Sequence, residues 1–570
     1  MKNKFVSDTL YEIADLLDIK GENFFITRAY RMAAQKIEVL DEDIKLVVKE
    51  KRVEEIPGIG QGLGKKIIEL VETGELKYLK DLKKELPEGL LNMLKIPGLG
   101  PKKVAAIFNK LSIKSIPKLL EACKKGKLRD LEGFGITTEL NILRGINLIN
   151  KTSGRVLLHL AFEDGNNYLN FLKKSSDIQR LNIAGSLRRR KETIGDLDIL
   201  ASSKNPKKVM DYFVSYPQVK RVLLKGLTKT SVLLNDDLQV DLRVVDDNSF
   251  GAALQYFTGS KEHNVKMRSL AIKKGFKLNE YGLFKKTDND LITGKNEEDI
   301  YKKLGLRYIE PELRENRGEI TASLNNNLPD LIDLKDIKGD IHIHSNYSDG
   351  FEKIKDLADT CEKMGYEYIG IADHSQSLKV AHGLTEERIR KKINEINKIN
   401  KKYSNFHILC GTECDILADG SLDYNNKTLK MFDYVGIGIH TNFKMKDNEI
   451  NNRILNALDN EYVTFIAHPT CRMIGHREPF NLDIEKLIEK TIQTNTYLEI
   501  NSFPDRLDLN DINTKIAKEK GAKFVINTDS HHIKNLKYIK YGVASARRGW
   551  LEKKDVLNTC SYNELLKKLG

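Results

Sequence analysis

Ile183-Ala-Gly-Ser-Leu-Arg-Arg-Arg-Lys-Glu-Thr-Ile-Gly-Asp-Leu-Asp-Ile-Leu200 is the stretch from which the rest of the chain can be read. Two apolar runs enclose a Gly185-Ser186 turn, a basic cluster at Arg188, Arg189 and Arg190, and the pair Asp196 and Asp198. Side chains two apart on a strand share a face, so the two carboxylates stand side by side. Carboxylates that close repel unless one is protonated or a cation lies between them. Magnesium is held by carboxylates together with substrate phosphates. Backbone N–H groups at Gly185, the Ser186 hydroxyl and the arginines offer donors to a phosphate. The stretch is a candidate nucleoside triphosphate site, although an Asp-x-Asp pair taken alone is more often a solvated strand end.

Its surroundings change that weighting. Residues 150 to 250 carry short apolar runs at 156–162, 181–184, 197–201, 222–224, 231–234 and 238–245, each predicted to be a strand. In the last, Val240, Leu242 and Val244 share one face and Asp241 and Arg243 the other. Asp241 thereby becomes a third carboxylate. Three acids permit two-metal nucleotidyl transfer, with ions ~4 Å apart stabilising the attacking and leaving oxygens. Asp241 would also bind or deprotonate a primer 3′-hydroxyl.

Upstream, residues 1 to about 85 carry apolar side chains at helical steps, at 5–17 and 24–40. Ile56-Pro-Gly-Ile-Gly60 and Ile96-Pro-Gly-Leu-Gly-Pro-Lys-Lys103 are two copies of a helix-hairpin-helix turn, and Leu131-Glu-Gly-Phe-Gly-Ile136 is a weaker third. Such turns open a helix and point backbone N–H groups at a phosphate. Gly58, Gly60, Gly98, Gly100 and Lys102 are the residues expected at a DNA backbone.

Composition agrees with a polyanionic partner. The 570 residues carry a net charge of +13 and are 40% hydrophobic, which implies several packed domains. No run approaches a membrane span and the first residues lack an apolar signal core. Six cysteines without a Cys-x-x-Cys pair fit a reduced, cytoplasmic setting. Of 12 histidines, only His159 and His263 precede position 340.

That skew marks a separate domain. From about residue 336, seven short apolar runs alternate with helical stretches, which predicts a β/α barrel with its site at the strands' C-terminal ends. Most runs end at or just before a metal-type residue. His342 and His344 open the set, with Asp349, His374, Glu413, His440, His468, Asp529 and His531 following. One such residue could be a satisfied core histidine; nine at equivalent strand ends point to a multi-metal centre.

Residues 1 to about 315 resemble a family X DNA polymerase, similar to DNA polymerase beta. The match rests on Gly185-Ser186 with Asp196-Leu-Asp198, Val240-Asp-Leu-Arg243, Tyr256-Phe-Thr-Gly-Ser260, Gly275-Phe-Lys-Leu-Asn-Glu-Tyr-Gly282 and Tyr308-Ile-Glu-Pro311. The resemblance implies metal ligation by Asp196, Asp198 and Asp241, with Mg2+ or Mn2+. It implies triphosphate contacts from Ser186, Arg189 and Gly195, beside Gly185 and Gly259. It places Tyr256 and Phe257 at the incoming sugar, where they disfavour a 2′-hydroxyl. Asn264 falls at the minor-groove edge of the incoming nucleotide, Arg268 on the template side, and Lys225 and Lys229 at the primer-template backbone. The N-terminal segment is similar to that family's deoxyribose-phosphate lyase domain, and Lys66 falls on its Schiff-base lysine. Gly62 stands where a supporting lysine is usual, and Phe25-Ile26 where a basic residue is usual.

Residues 336 to 570 resemble the polymerase and histidinol phosphatase (PHP) domain, through His342-Ile-His-Ser-Asn-Tyr-Ser-Asp-Gly350, Ala372-Asp-His-Ser375, Asp415-Ile-Leu-Ala-Asp-Gly-Ser421 and Ile526-Asn-Thr-Asp-Ser-His531. This implies a phosphoesterase site with up to three ions, Mn2+ or Zn2+, on the nine ligands above.

The expected architecture is multidomain. A helical, lyase-like 1–85 leads to a fingers-like 86–150, an α+β nucleotidyltransferase palm at 151–250 and a thumb at 251–315. A flexible joint at 316–335, polar and turn-prone, then leads to a (β/α)7 barrel at 336–570. The expected function is gap-filling DNA synthesis in base excision repair, on gapped or primer-template DNA with deoxynucleoside triphosphates. A monomer is expected, with the barrel acting as a 3′→5′ exonuclease, an abasic-site endonuclease or a 3′-phosphatase. The rivals are a barrel that only binds or scaffolds, and a template-independent terminal transferase.

Overall fold

The computed structural model describes every residue except Met1, Lys2, Val39, Asp41, Glu88, Lys95, Pro97, Gly98, Asp130, Glu132, Ser153 and Gly570. The chain divides into two compact units, Met1–Ser153 with Gly475–Glu478, and Gly154–Ile474 with Pro479–Gly570.

The first unit contains helices. Asn3–Lys20 and Phe24–Glu38 pair through Val6, Leu10, Ile13 and Leu17 against Tyr30, Ala33, Ala34 and Ile37, the apolar stripes their spacing predicts. Two further helices, Gln61–Thr73 and Pro101–Leu111, start from extended Gly60 and Gly100 as N-caps. Gly58 has φ +90°, which a side chain would resist. These are the hairpin turns expected from the sequence; Gly98 lies outside the described residues.

In the second unit a five-stranded sheet runs in the order Arg180–Ile183, Asp196–Ser202, Gln239–Val245, Lys229–Leu234, Val219–Lys225. The expected strand at 156–162 is a correction. Only Val156–Leu157 is extended, and a helix covers Leu158–Leu172. Leu158, Ala161, Gly165, Tyr168 and Leu172 recur at three- and four-residue steps and are buried, so the helical period wins over the short apolar run. Beyond the sheet come helices Phe250–Thr258 and Lys261–Lys273 and a three-stranded antiparallel sheet.

The C-terminal barrel has seven parallel strands in sequential order, from Gly339–Ile343 to Phe524–Asn527. The His344 N–H donates to the Ser530 carbonyl at 2.8 Å, bringing the first strand's end to the last.

The joint expected at 316–335 is packed instead. Helix Glu319–Leu324 buries Glu319, whose carboxylate lies 2.7 Å from His263 Nδ1 and accepts from the Asn316 and Arg317 N–H groups. Ile332 is buried in the barrel core, and its N–H donates to Leu551 at 3.0 Å. Polymerase-like sheet and barrel also share apolar surface: Leu507 and Tyr541 join the cluster of Leu158, Ile194, Leu197 and Val240. Ions finish the junction. Glu315 lies 3.0 Å from both Arg189 and Arg548, and Asp511 pairs with Arg548 at 2.7 Å and Arg317 at 3.0 Å. The Asn325 to Asn327 run does face water, as its composition predicts, but Glu319, Ser323, Leu328 and Ile332 are buried on either side of it and tie the segment down.

Candidate active sites

The strands Asp196–Ser202 and Gln239–Val245 are parallel neighbours with Asp198 opposite Asp241. Register and alternation together bring carboxylate oxygens of Asp196, Asp198 and Asp241 within 4.8 Å of one another. Burial, then the charges of Asp196 and Asp241, push Asp198 up to about 7. Asp241 goes the other way. Its burial is outweighed by Lys229, 2.6 Å from Oδ2, and by Gln239, which donates to Oδ1 at 2.9 Å. Three acids crowded to the point where one retains a proton near neutrality suit a divalent cation.

Asp196 and Asp198 open into a cleft of about 450 Å³, with Asp241 buried behind them. Of the residues expected at a nucleotide, Gly185, Ser186, Tyr256, Phe257, Gly259, Asn264, Arg268 and Arg189 line it, and Gly195 does not. Arg155, Lys191 and Lys261 line it as well and were not singled out from the sequence, because scattered basic residues carry no pattern. Gly185, at φ +59°, lets the turn press against Asp198. Tyr256 and Phe257 meet edge to face at 5.1 Å, with the Arg243 guanidinium over Phe257. Asn264 is buried; it accepts from Gln255 at 2.9 Å and donates to the Tyr256 carbonyl at 2.7 Å, holding the helix end that carries both rings. Arg189 is engaged by Glu315 and the Thr258 carbonyl. Lys229 is engaged by Asp241, and Lys225 lies 2.6 Å from Asp211. A buried clasp joins sheet and thumb-like part: Glu297 takes Arg188 at 2.7 Å and Arg314 at 2.5 Å.

At the barrel's C-terminal mouth the nine expected ligands converge. His344, Asp349, His374 and His531 form one group, His342, His344, Glu413 and Asp529 a second, and His374, Glu413 and His440 a third. His468 joins through Glu413, 2.8 Å from its Nε2. Burial raises Glu413, but His440, His342 and His374 hold it well below the usual carboxylate range. Asp529 is likewise held low by His342 and His344. Several buried ring nitrogens have no hydrogen bond: His342 Nε2, both nitrogens of His344, and His374 Nδ1. Orphaned buried polar atoms are rare, and lone pairs aimed at a shared point suit metal ions.

The supporting residues were not legible in sequence. Glu499, fully buried, lies 2.7 Å from His342 Nδ1 and turns Nε2 inward. Asp415 supports His440 at 3.3 Å, and Asn501 donates to Asp529 at 3.1 Å. Buried Lys392 pairs with Asp373 at 2.9 Å. In the first unit, Lys66 Nζ donates to the Tyr30 hydroxyl at 2.6 Å and sits 4.0 Å from the Tyr78 ring centroid.

A carboxylate triad at a basic cleft, and a histidine-rich barrel centre packed onto the same body, define a nucleotidyltransferase joined to a PHP phosphoesterase. Comparison with known proteins agrees. Residues 1–76 match the helix-hairpin-helix domain, 90–147 the SAM-like helix-hairpin-helix tandem, 253–315 the DNA polymerase beta thumb and 340–503 the PHP domain. The chain is 39% identical over 567 residues to "DNA polymerase/3'-5' exonuclease PolX" of Bacillus subtilis, covering 99% of both chains. It is 25% identical over 354 residues to "DNA polymerase lambda" of Rattus norvegicus, covering 55% of this chain and 56% of that one. It is 28% identical over 182 residues to "Repair DNA polymerase X" of African swine fever virus, covering 31% of this chain and 99% of that one. The chain belongs to the family X DNA polymerases that carry a C-terminal PHP domain.

Proposed function

We propose that this protein is a DNA-directed DNA polymerase that fills short gaps during DNA repair, and that its barrel is a metal-dependent 3′→5′ exonuclease. The observation that carries the reading is the convergence of Asp196, Asp198 and Asp241, the first two lining the basic cleft, in one body with the nine-ligand centre. Divalent ions bound at the triad, Mg2+ or Mn2+, would stabilise the attacking and leaving oxygens of nucleotidyl transfer. The chain's own groups do the rest. Asp241, kept ionised beside Lys229, faces the position for a primer 3′-hydroxyl. Ser186, Arg189 and the Gly185 backbone receive the triphosphate, and Tyr256 and Phe257 screen the sugar. Asn264 and Arg268 meet the base pair, which favours templated synthesis. Gly58, Gly60, Gly100, Lys102 and Lys225 grip backbone phosphates of the gapped duplex.

In the barrel, Glu413 and Asp529 gather the histidines that would hold Mn2+ or Zn2+, and Glu499 fixes the His342 tautomer. The result is a site suited to phosphoester hydrolysis at a 3′-end, including abasic ends and 3′-phosphates. The chain works as a cytoplasmic monomer on DNA, and no helix among the described residues is long and apolar enough to cross a membrane. The deciding experiment follows one gapped duplex, with blocked and free 3′-ends, in each metal. Extension of the free end and trimming of the blocked one are expected. His342→Ala and Asp529→Ala should lose trimming; unchanged degradation in both means the nuclease is a contaminant and the barrel a scaffold. A Lys66 Schiff base is tested by borohydride trapping on an abasic 5′-end, where an equal adduct in Lys66→Ala refutes it.

A further inference from the structure

We propose that Arg506 is a substrate contact of the barrel centre, binding a non-bridging phosphate oxygen of the DNA strand. The inference rests on the phosphoesterase reading above and names one residue that recognises its substrate.

Arg506 lies just beyond the strand Tyr497–Asn501, at the barrel mouth. Its Nε is 3.6 Å from Asp529 Oδ2, and its side chain is 20% exposed. The two oxygens of Asp529 divide their work. Oδ1 faces the ligand histidines, 3.2 Å from His344 and 3.6 Å from His342. Oδ2 is held by Asn501 at 3.1 Å and faces Arg506. The guanidinium is thus one carboxylate removed from the metal-ligand cluster.

Arg506 Nη1 is buried and has no hydrogen-bond partner. Leaving a buried donor of a charged group unpaired forfeits its hydration with nothing in return. If Arg506 served only to orient Asp529, that task would already be done by Asn501, and Nη1 would remain unexplained. A phosphate brought to the centre supplies the missing acceptor, and a guanidinium fork matches phosphate geometry.

The position of the loop is set from outside the barrel. Leu507, the next residue, is buried in the cluster formed with Ile194, Leu197 and Val240 of the polymerase-like sheet. Arg472 donates to the Leu507 carbonyl at 2.5 Å and pairs with Glu192 of that same part at 2.7 Å. The polymerase half therefore holds in place the loop that presents Arg506 to the nuclease centre.

The test compares the full-length chain with Arg506→Gln and Arg506→Lys, each reconstituted with Mn2+. Four quantities are read: bound metal by elemental analysis, inorganic phosphate affinity by calorimetry, and KM and kcat for 3′-end trimming of a single-stranded oligonucleotide. The unfolding midpoint checks the fold. The expected result for Arg506→Gln is full metal content with phosphate affinity down about tenfold and a higher KM. Lysine should recover part of the affinity. Unchanged phosphate affinity overturns the inference, and if metal content falls with affinity unchanged, Arg506 only supports Asp529. Wild-type protein that neither binds phosphate nor trims overturns the phosphoesterase reading itself, and the inference with it.

Discussion

Replacing Gly185 by alanine should disable the polymerase centre while leaving the barrel centre working. Gly185 has φ +59°, and a Cβ there would fall inside the van der Waals envelope of Asp198 Oδ2, 3.0 Å from its carboxyl carbon. The left-handed backbone adds about 1–2 kcal/mol of local strain. The larger effect is on Asp198, whose carboxylate must retreat by about 1 Å to relieve the overlap, and misplacement of that size costs ~10²-fold in rate. That corresponds to about 2.7 kcal/mol of barrier. The carboxylate cannot retreat freely, since it sits between Asp196 and Asp241. The assay is kcat/KM for insertion of one nucleotide into a single-nucleotide gap, with 3′-end trimming by the same preparation as control. Gap filling within about tenfold of wild type, in a variant that unfolds normally, would refute the claim that Gly185 sets the Asp198 position.

Asp241→Asn takes one carboxylate from the triad and leaves Lys229 without its partner; synthesis should fall by roughly three orders of magnitude while trimming persists, and joint loss would show that the two centres are coupled. Glu297 sets a pH limit on the fold: burial pushes its carboxyl up, but Arg314 and Arg188 prevail and hold it at about 2. A carboxyl held below its ordinary value stabilises fully above about pH 4.5 and loses that contribution, about 3 kcal/mol, as pH falls toward 2. Denaturant unfolding should track this loss in wild type and be flatter with pH in Glu297→Gln; parallel profiles would contradict it. Leu507→Ala should cost about 2–5 kcal/mol and depress trimming more than gap filling, because Arg506 rides on the same loop; equal effects on the two activities would count against that linkage. Chelation should abolish both activities and lower the unfolding midpoint, and Mn2+ at about 100 times its Kd should restore about 2.7 kcal/mol. A midpoint that ignores metal would mean that the nine ligands hold none.

The carboxylates of the first candidate site and the metal-type residues of the second were legible because local geometry places them, whereas the nucleotide contacts came from family resemblance. Alternation puts Asp196 and Asp198 on one face whatever the strand packs against, and a Pro-Gly-x-Gly turn opens a helix wherever it occurs. The barrel ligands recur at strand ends, and the topology of a sequential parallel sheet brings strand ends together. What stayed hidden depends on separations of tens to hundreds of residues. No local pattern pairs Lys229 with Asp241, Glu499 with His342, or Glu315 with both Arg189 and Arg548. The segment at 316–335 reads as a joint by composition, yet His263 and the Leu551 carbonyl supply partners that tie it down. The same holds for the helix Leu158–Leu172, whose period is plain only once its first apolar run is seen to continue past Phe162. Ile183 to Leu200 by itself put two acids on one face and offered a candidate phosphate site, which Asp241 and the neighbouring motifs then favoured. Only the tertiary structure decided that Asp198 shares its charge with Asp241, and that the polymerase half shapes the mouth of the nuclease, because burial and charge pairing are properties of the packed molecule.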